Sequence, residues 1–208
     1  MKILSEMFNQ FSLVPVVVLD DANDATPLAE ALLNGGIKSI EITLRTDAGL
    51  KAIENVAKNV PDILVGSGTI LNKAQMQAAH DAGAQFHVSP GITDELADYA
   101  STNNIAWLAG VANSSNIMQA HQHGLTHVKF FPAALAGGVP MLKQFISVFP
   151  NMRICPTGGI DLSNLHEYMA LPSVFAVGGS WLTPKDLIAQ KNWAEITKIA
   201  KESTEKLK

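Results

Sequence analysis

Short apolar runs rich in β-branched residues alternate with alanine-rich amphipathic segments along most of the chain. The apolar runs cover residues 13–19, 38–44, 63–66, 85–88, 105–108, 127–131, 152–155 and 174–177, and most end at Gly, Pro, Ser or Thr. That combination reads as strands. Their starts lie 20 to 25 residues apart, the length of one strand–helix unit. The segments between them read as helices. Residues 22–34 close at Gly35-Gly36, and residues 47–59 place Leu50, Ile53 and Val56 at helical spacing. Residues 72–82 begin with the capping residue Asn72 and end at Gly83; residues 113–123 end at Gly124. These are ordinary helix start and stop signals. Eight such units predict an α/β fold, a single-domain (β/α)8 TIM barrel over residues 1–208, in preference to an open doubly wound sheet. Residues 1–11 read as an extra N-terminal helix and residues 193–207 as a C-terminal one.

Composition supports one well-filled core. Of the 208 residues, 47% are hydrophobic and 16% charged, far from the balance of a disordered chain. The single cysteine, Cys155, excludes an intrachain disulfide and a multi-cysteine metal site. Glu6, Asn9 and Gln10 interrupt the start of the chain, so it does not read as a signal peptide. No run approaches the roughly 20 apolar residues of a membrane span. The net charge of -4 leaves no electrostatic footprint for nucleic acid. The expectation is a cytoplasmic protein that binds neither membrane nor nucleic acid.

A barrel localises its chemistry before any residue is chosen, because active sites of this fold lie at the C-terminal ends of the strands. Lys129 stands in the sixth apolar run, His127-Val128-Lys129-Phe130-Phe131-Pro132, where an ammonium is poorly solvated. A neutral amine there would suit attack on a ketone; a lysine that snorkels to water is the plainer alternative. Strand alternation puts Glu41, Thr43 and Arg45 on one face and Ile42 and Leu44 on the other. Glu41 and Arg45 then either serve a site, the arginine for a carboxylate and the glutamate for protons, or form a structural ion pair. Three glycine-rich turns, Gly66-Ser67-Gly68-Thr69, Pro156-Thr157-Gly158-Gly159 and Gly178-Gly179-Ser180, follow predicted strands. The last two follow strands seven and eight, where barrels commonly bind phosphate through backbone N–H groups. Ser89-Pro90-Gly91 reads as a turn that could line the mouth. The six histidines are scattered, with His127 at the end of its strand away from the site, and no arrangement of His, Asp and Glu calls for a metal. Cys155 reads as a small core residue. Trp107 and Trp181 read as barrel packing, and Trp193 as the anchor of the last helix.

Taken in order, Glu41-Ile-Thr-Leu-Arg45-Thr, Gly66-Ser-Gly-Thr69, Ser89-Pro-Gly91, Val128-Lys129-Phe-Phe-Pro-Ala133, Pro156-Thr-Gly-Gly159 and Gly178-Gly-Ser-Trp181 are highly specific. The chain resembles the 2-dehydro-3-deoxy-phosphogluconate (KDPG) aldolase family, which includes 4-hydroxy-2-oxoglutarate (KHG) aldolases and phosphogalactonate relatives. The resemblance runs from about Val14 to Trp181. It implies a homotrimeric class I aldolase that needs no metal or other cofactor and cleaves a phosphorylated 2-keto sugar acid to pyruvate and glyceraldehyde 3-phosphate. By motif position, Lys129 matches the Schiff-base lysine and Glu41 the proton-moving acid/base. Arg45 and Thr69 match the residues that hold the carboxylate. Gly158, Gly159 and Ser180 match the phosphate site, with Thr157 lining the pocket beside it.

One segment departs from the family pattern. After strand five a Pro-Gly, a threonine and a glutamate are usual; here the chain reads Ala109-Gly110-Val-Ala-Asn113-Ser-Ser-Asn116. Two other classes compete: a phosphate-binding barrel synthase of the thiamin-phosphate type, and a non-catalytic phosphosugar sensor.

Overall fold

A computed structural model describes Met7 and residues 12–207. The expected N-terminal helix over residues 1–11 lies outside the described residues, except for Met7, which is helical. The strands are β1 (Leu13–Val17), β2 (Ser39–Thr43), β3 (Leu64–Gly68), β4 (Phe86–Val88), β5 (Trp107–Val111), β6 (His127–Phe130), β7 (Arg153–Pro156) and β8 (Val177–Gly179). Between them run α1 (Ala25–Asn34), α2 (Gly49–Asn59), α3 (Lys73–Asp81), α4 (Asp94–Thr102), α5 (Ser114–Gln122), α6 (Gly138–Val148) and α7 (Leu165–Met169). After β8 come α8 (Lys185–Ala189) and α9 (Trp193–Glu205). All neighbouring strands pair in parallel, and β1 pairs with β8. Bridges Ile154–Val174 and Thr157–Gly178 join β7 to the β8 segment and complete the ring. The predicted (β/α)8 barrel is the observed architecture.

Two shifts have local causes. The eighth run was placed at 174–177, but Val174 contributes only an isolated bridge and the ladder to β1 uses Val177, Gly178 and Gly179. Glycines at the strand's end carry no apolar signal, so the apolar run stopped short. Likewise β5 extends through Ala109, Gly110 and Val111, which pair with Val128, Lys129 and Phe130. The helix over 47–59 begins at Gly49 and buries Gly49, Ala52, Ile53 and Val56. Leu50, expected on the same face, is exposed at its rim.

Strand periodicity divides the chain into two cores. Val14, Phe86, Val88, Ala106, Leu108, Cys155 and Ala176 fill the barrel. The alternate strand residues, among them Val17, Ile40, Ile42, Val65, Val128 and Ile154, pack outward against the helices. Polar residues inside are tied to the backbone: Ser39 Oγ donates to Leu13 O and Thr43 Oγ1 to Val17 O, each at 2.8 Å. Helix α9 turns back onto α1. Its Ala200 occupies the space a Cβ at Gly35 would need, and Thr197 Oγ1 donates to Ala31 O at 2.9 Å.

The divergent segment after β5 is a well-formed helix start. Asn113 Oδ1 accepts from Asn116 N at 2.9 Å, and Asn116 Oδ1 accepts from Ala112 N at 3.2 Å. This is a reciprocal capping box with asparagine at both positions. Helix α3 is built alike: Asn72 Oδ1 accepts from Gln75 N, and Gln75 Oε1 accepts from Leu71 N. The departure from the family pattern therefore leaves the architecture of this wall intact.

Candidate active site

Glu41 lies on β2 and Lys129 on β6, four strands apart in either direction around the ring, and their side chains meet inside the barrel. Lys129 Nζ donates to Glu41 Oε1 at 3.3 Å, with the residues 5% and 2% exposed. Charges this deep are stable only when paired, since each has lost its hydration. Of the two alternatives for Glu41 and Arg45, the structural ion pair between them does not form. Strand β2 ends at Thr43, so Arg45 lies beyond the alternation that was extrapolated to it. Its exposed guanidinium instead donates from Nε to Thr69 Oγ1 at 2.9 Å.

Two features that sequence reasoning passed over shape this pair. A Cβ on Gly68 would overlap the Glu41 carboxylate, so this glycine makes room for the acid. Phe131 places its ring centroid 5.3 Å from Lys129 Nζ and forms one wall beside the amine. The doubled phenylalanine after Lys129 was visible, but which ring faced the site depended on where β6 ended. The lysine's environment is thus not wholly apolar: a carboxylate stands on one side and an aromatic ring on another.

Cys155 is the register partner of Lys129 on β7. It is buried, and burial pushes its thiol up to about 12 despite the nearby ammonium. It is a neutral core group, as its sequence context indicated, since nucleophilic cysteines need the thiolate.

Thr69 adopts φ 61°, a left-handed conformation uncommon for a β-branched residue. Such strain clusters at functional sites, and here it presents the hydroxyl to Arg45. Gly158 and Gly159 also have positive φ, 96° and 75°. Three loops interlock around them. Ala133 N donates to Thr157 O at 2.8 Å and Ala134 N to Gly158 O at 3.0 Å, while Thr157 bridges to Gly178. A Cβ on Gly158 would touch Phe131, so the glycine turn abuts the wall beside Lys129. Ser180, exposed, follows directly on β8. The structure therefore brings Glu41, Lys129, Thr157, Gly158 and Phe131 together, and sets Arg45 with Thr69 on the β2–β3 side.

The β4–α4 loop adds a further wall. Trp107, 1% exposed, donates from Nε1 to Ser89 Oγ at 3.0 Å, and Ser89 Oγ donates to Gly91 O at 2.6 Å. Elsewhere, Trp181 Nε1 donates to Ser203 Oγ at 3.3 Å, holding α9 to the end of β8, and Trp193 packs half-buried at the start of α9. His127 sits at the far end of β6 against Phe175, away from this mouth. No helix among the described residues is long and apolar enough to cross a membrane.

Comparison with known proteins gives a consistent picture. The family described as KDPG and KHG aldolase matches residues 4–199. A 2-dehydro-3-deoxy-phosphogluconate aldolase of Pseudoalteromonas atlantica is 43% identical over 95% of this chain and 92% of its own. The KHG/KDPG aldolase of Escherichia coli is 43% identical over 92% of this chain and 90% of its own. A crystal structure of the KDPG aldolase of Legionella pneumophila, with pyruvate captured at low pH as a covalent carbinolamine, superposes with a TM-score of 0.91. It is 45% identical and covers 93% of this chain and 94% of that one.

Proposed function

The chain belongs to the KDPG and KHG aldolase family, and from that premise we propose that Lys129 is its imine-forming residue, with Glu41 moving the protons. The protein is a class I, pyruvate-dependent carbon–carbon lyase. The single observation that carries the residue assignment is the buried Glu41–Lys129 contact across the barrel mouth.

The neutral amine of Lys129 adds to the C2 ketone of the 2-keto-3-deoxy acid and gives a carbinolamine. Glu41, in reach of the same nitrogen, first takes one proton from the Lys129 ammonium to free the amine; after addition a second nitrogen proton passes to the alkoxide, and Glu41 returns the first to the hydroxyl, which leaves as water. The resulting iminium draws in the C3–C4 electron pair. The C4 hydroxyl gives its proton to the Glu41 carboxylate, C4 becomes an aldehyde, and an enamine stays on Lys129. Glu41 returns that proton to C3, and addition of water to the iminium so formed releases pyruvate and restores the amine. The iminium is the electron sink for the cleavage.

Arg45 receives the carboxylate at one end, with Thr69 orienting its guanidinium; the planar fork suits a two-oxygen anion. Gly158, Gly159 and Ser180 receive the phosphate at the other, with Thr157 lining the pocket between. Holding both ends fixes the reacting bond over Lys129 and Glu41, which is catalysis by positioning. The substrate is 2-dehydro-3-deoxy-6-phosphogluconate, and the enzyme works as a homotrimer in the cytoplasm. The close similarity to aldolases of this substrate supports the substrate assignment. Sedimentation at working concentration tests the trimer.

Incubation with pyruvate and borohydride tests the mechanism. A reduced adduct mapped to Lys129 by mass spectrometry is expected; no adduct on folded protein would refute it. Specificity constants on the phosphogluconate, phosphogalactonate and 4-hydroxy-2-oxoglutarate substrates then test the substrate assignment, with the first expected highest.

A further inference from the structure

We infer that Trp107 is a positioning residue for the pyruvate end of this site, acting through Ser89 on the Pro90–Gly91 peptide. The inference rests on the assignment of Lys129 as the imine former. Gly110 is the register partner of Lys129 on the adjacent strand β5. A Cβ on Gly110 would overlap the Pro90 carbonyl and the Gly91 nitrogen. The Pro90–Gly91 peptide therefore fills the space that a side chain beside Lys129 would take, and forms the wall of the site on the β5 side.

Two hydrogen bonds in series hold this turn from behind, ending on the Gly91 carbonyl at the next peptide along. Trp107 lies on the outer face of β5, packed in the layer between strands and helices. Its indole N–H occupies a lone pair of Ser89 Oγ at 3.0 Å, which turns the hydroxyl proton toward Gly91 O at 2.6 Å. Ser89 is itself only 1% exposed, so its hydroxyl has no water to turn to instead. The bulk of the indole accounts for the packing. The N–H is not needed for that, yet it is spent on the one hydroxyl that fixes the loop at the mouth. A buried indole N–H requires an acceptor, and the choice of acceptor here links the outer core to the wall beside Lys129.

Trp107→Phe removes the donor and keeps an aromatic ring in the layer; Ser89→Ala removes the relay itself. The half-saturating pyruvate concentration for borohydride trapping should rise about tenfold in each, the scale of one buried hydrogen bond. Inhibition of cleavage by glyceraldehyde 3-phosphate, which reads the phosphate end, should not change. The double variant should be no worse than Ser89→Ala alone, because both act on one relay. Val56→Ala, on the buried face of α2, serves as the control: it should lower the melting temperature and leave both readings unchanged. Wild-type pyruvate half-saturation in Trp107→Phe and Ser89→Ala would overturn the inference, as would an equal loss at both ends of the substrate. Absence of any adduct in the wild type would instead bring down the aldolase assignment, and this inference with it.

Discussion

Removal of one partner from the Glu41–Lys129 pair should destabilise the fold, and removal of both should not. In Lys129→Met the Glu41 carboxylate, 2% exposed, is left without its cation. Breaking a buried pair in this way costs about 3–5 kcal/mol. Even the lower figure, about 3 kcal/mol, is readily measured. For a chain of this length each kcal/mol moves Tm by roughly 2–4 °C, so a fall of roughly 6–12 °C is expected. Glu41→Gln should fall comparably, since it strands the ammonium. The double variant Glu41→Gln/Lys129→Met buries no charge and should lie within about 1 kcal/mol of the wild type. Urea unfolding of the four proteins at pH 7.5 and one fixed protein concentration gives the coupling energy. A value of about 2 kcal/mol or more supports the buried-pair account. Single variants as stable as the wild type, or a double variant equal to their sum, would refute it.

Gly68→Ala should cut kcat by about a hundredfold, because the new methyl displaces the Glu41 carboxylate; steady-state kinetics on the folded variant check this. Arg45→Lys loses the fork and its bond to Thr69, and should raise the half-saturating pyruvate concentration about tenfold in the trapping assay. His87 gives stability a dependence on pH. Burial, with some repulsion from His80, lowers its imidazole from 6.5 to about 4. Between those values the unfolded chain binds a proton that the folded chain refuses, so stability falls as pH drops through that window, by about 3 kcal/mol for this group. Denaturation midpoints from pH 7 to 4 should show this slope, and His87→Gln should flatten it.

The eight-fold alternation was legible because buried parallel strands and amphipathic helices differ in length and periodicity. What escaped was set by tertiary contact. Gly68 and Gly110 look like ordinary strand glycines until the Glu41 side chain and the Pro90–Gly91 peptide are seen in the space they leave. Of the two readings left open for Glu41 and Arg45, the structural ion pair fails because β2 ends two residues before Arg45, whose guanidinium meets Thr69 instead. The wall residues Ser89 and Trp107 were noted singly, as turn and packing; only the fold brings indole, hydroxyl and carbonyl into line. Asn113 and Asn116 looked like a loss of pattern because the capping box is usually written with threonine and glutamate, whereas the physics asks only for two side-chain oxygens.

The placement of Glu41 and Lys129 on opposite strands divides the site between the two halves of the chain. The exposed turn at Asn103–Asn104, between α4 and β5, separates Glu41, Arg45, Gly68 and Thr69 from Lys129, Phe131, Thr157, Gly158, Gly159 and Ser180. On the proposed assignment the carboxylate receptor and the acid belong to the amino-terminal half-barrel, and the nucleophile and the phosphate turns to the carboxy-terminal one. That assignment predicts that neither half turns over substrate alone. Turnover by two separately expressed fragments cut at that turn would therefore be a direct signal that the half-barrels had docked.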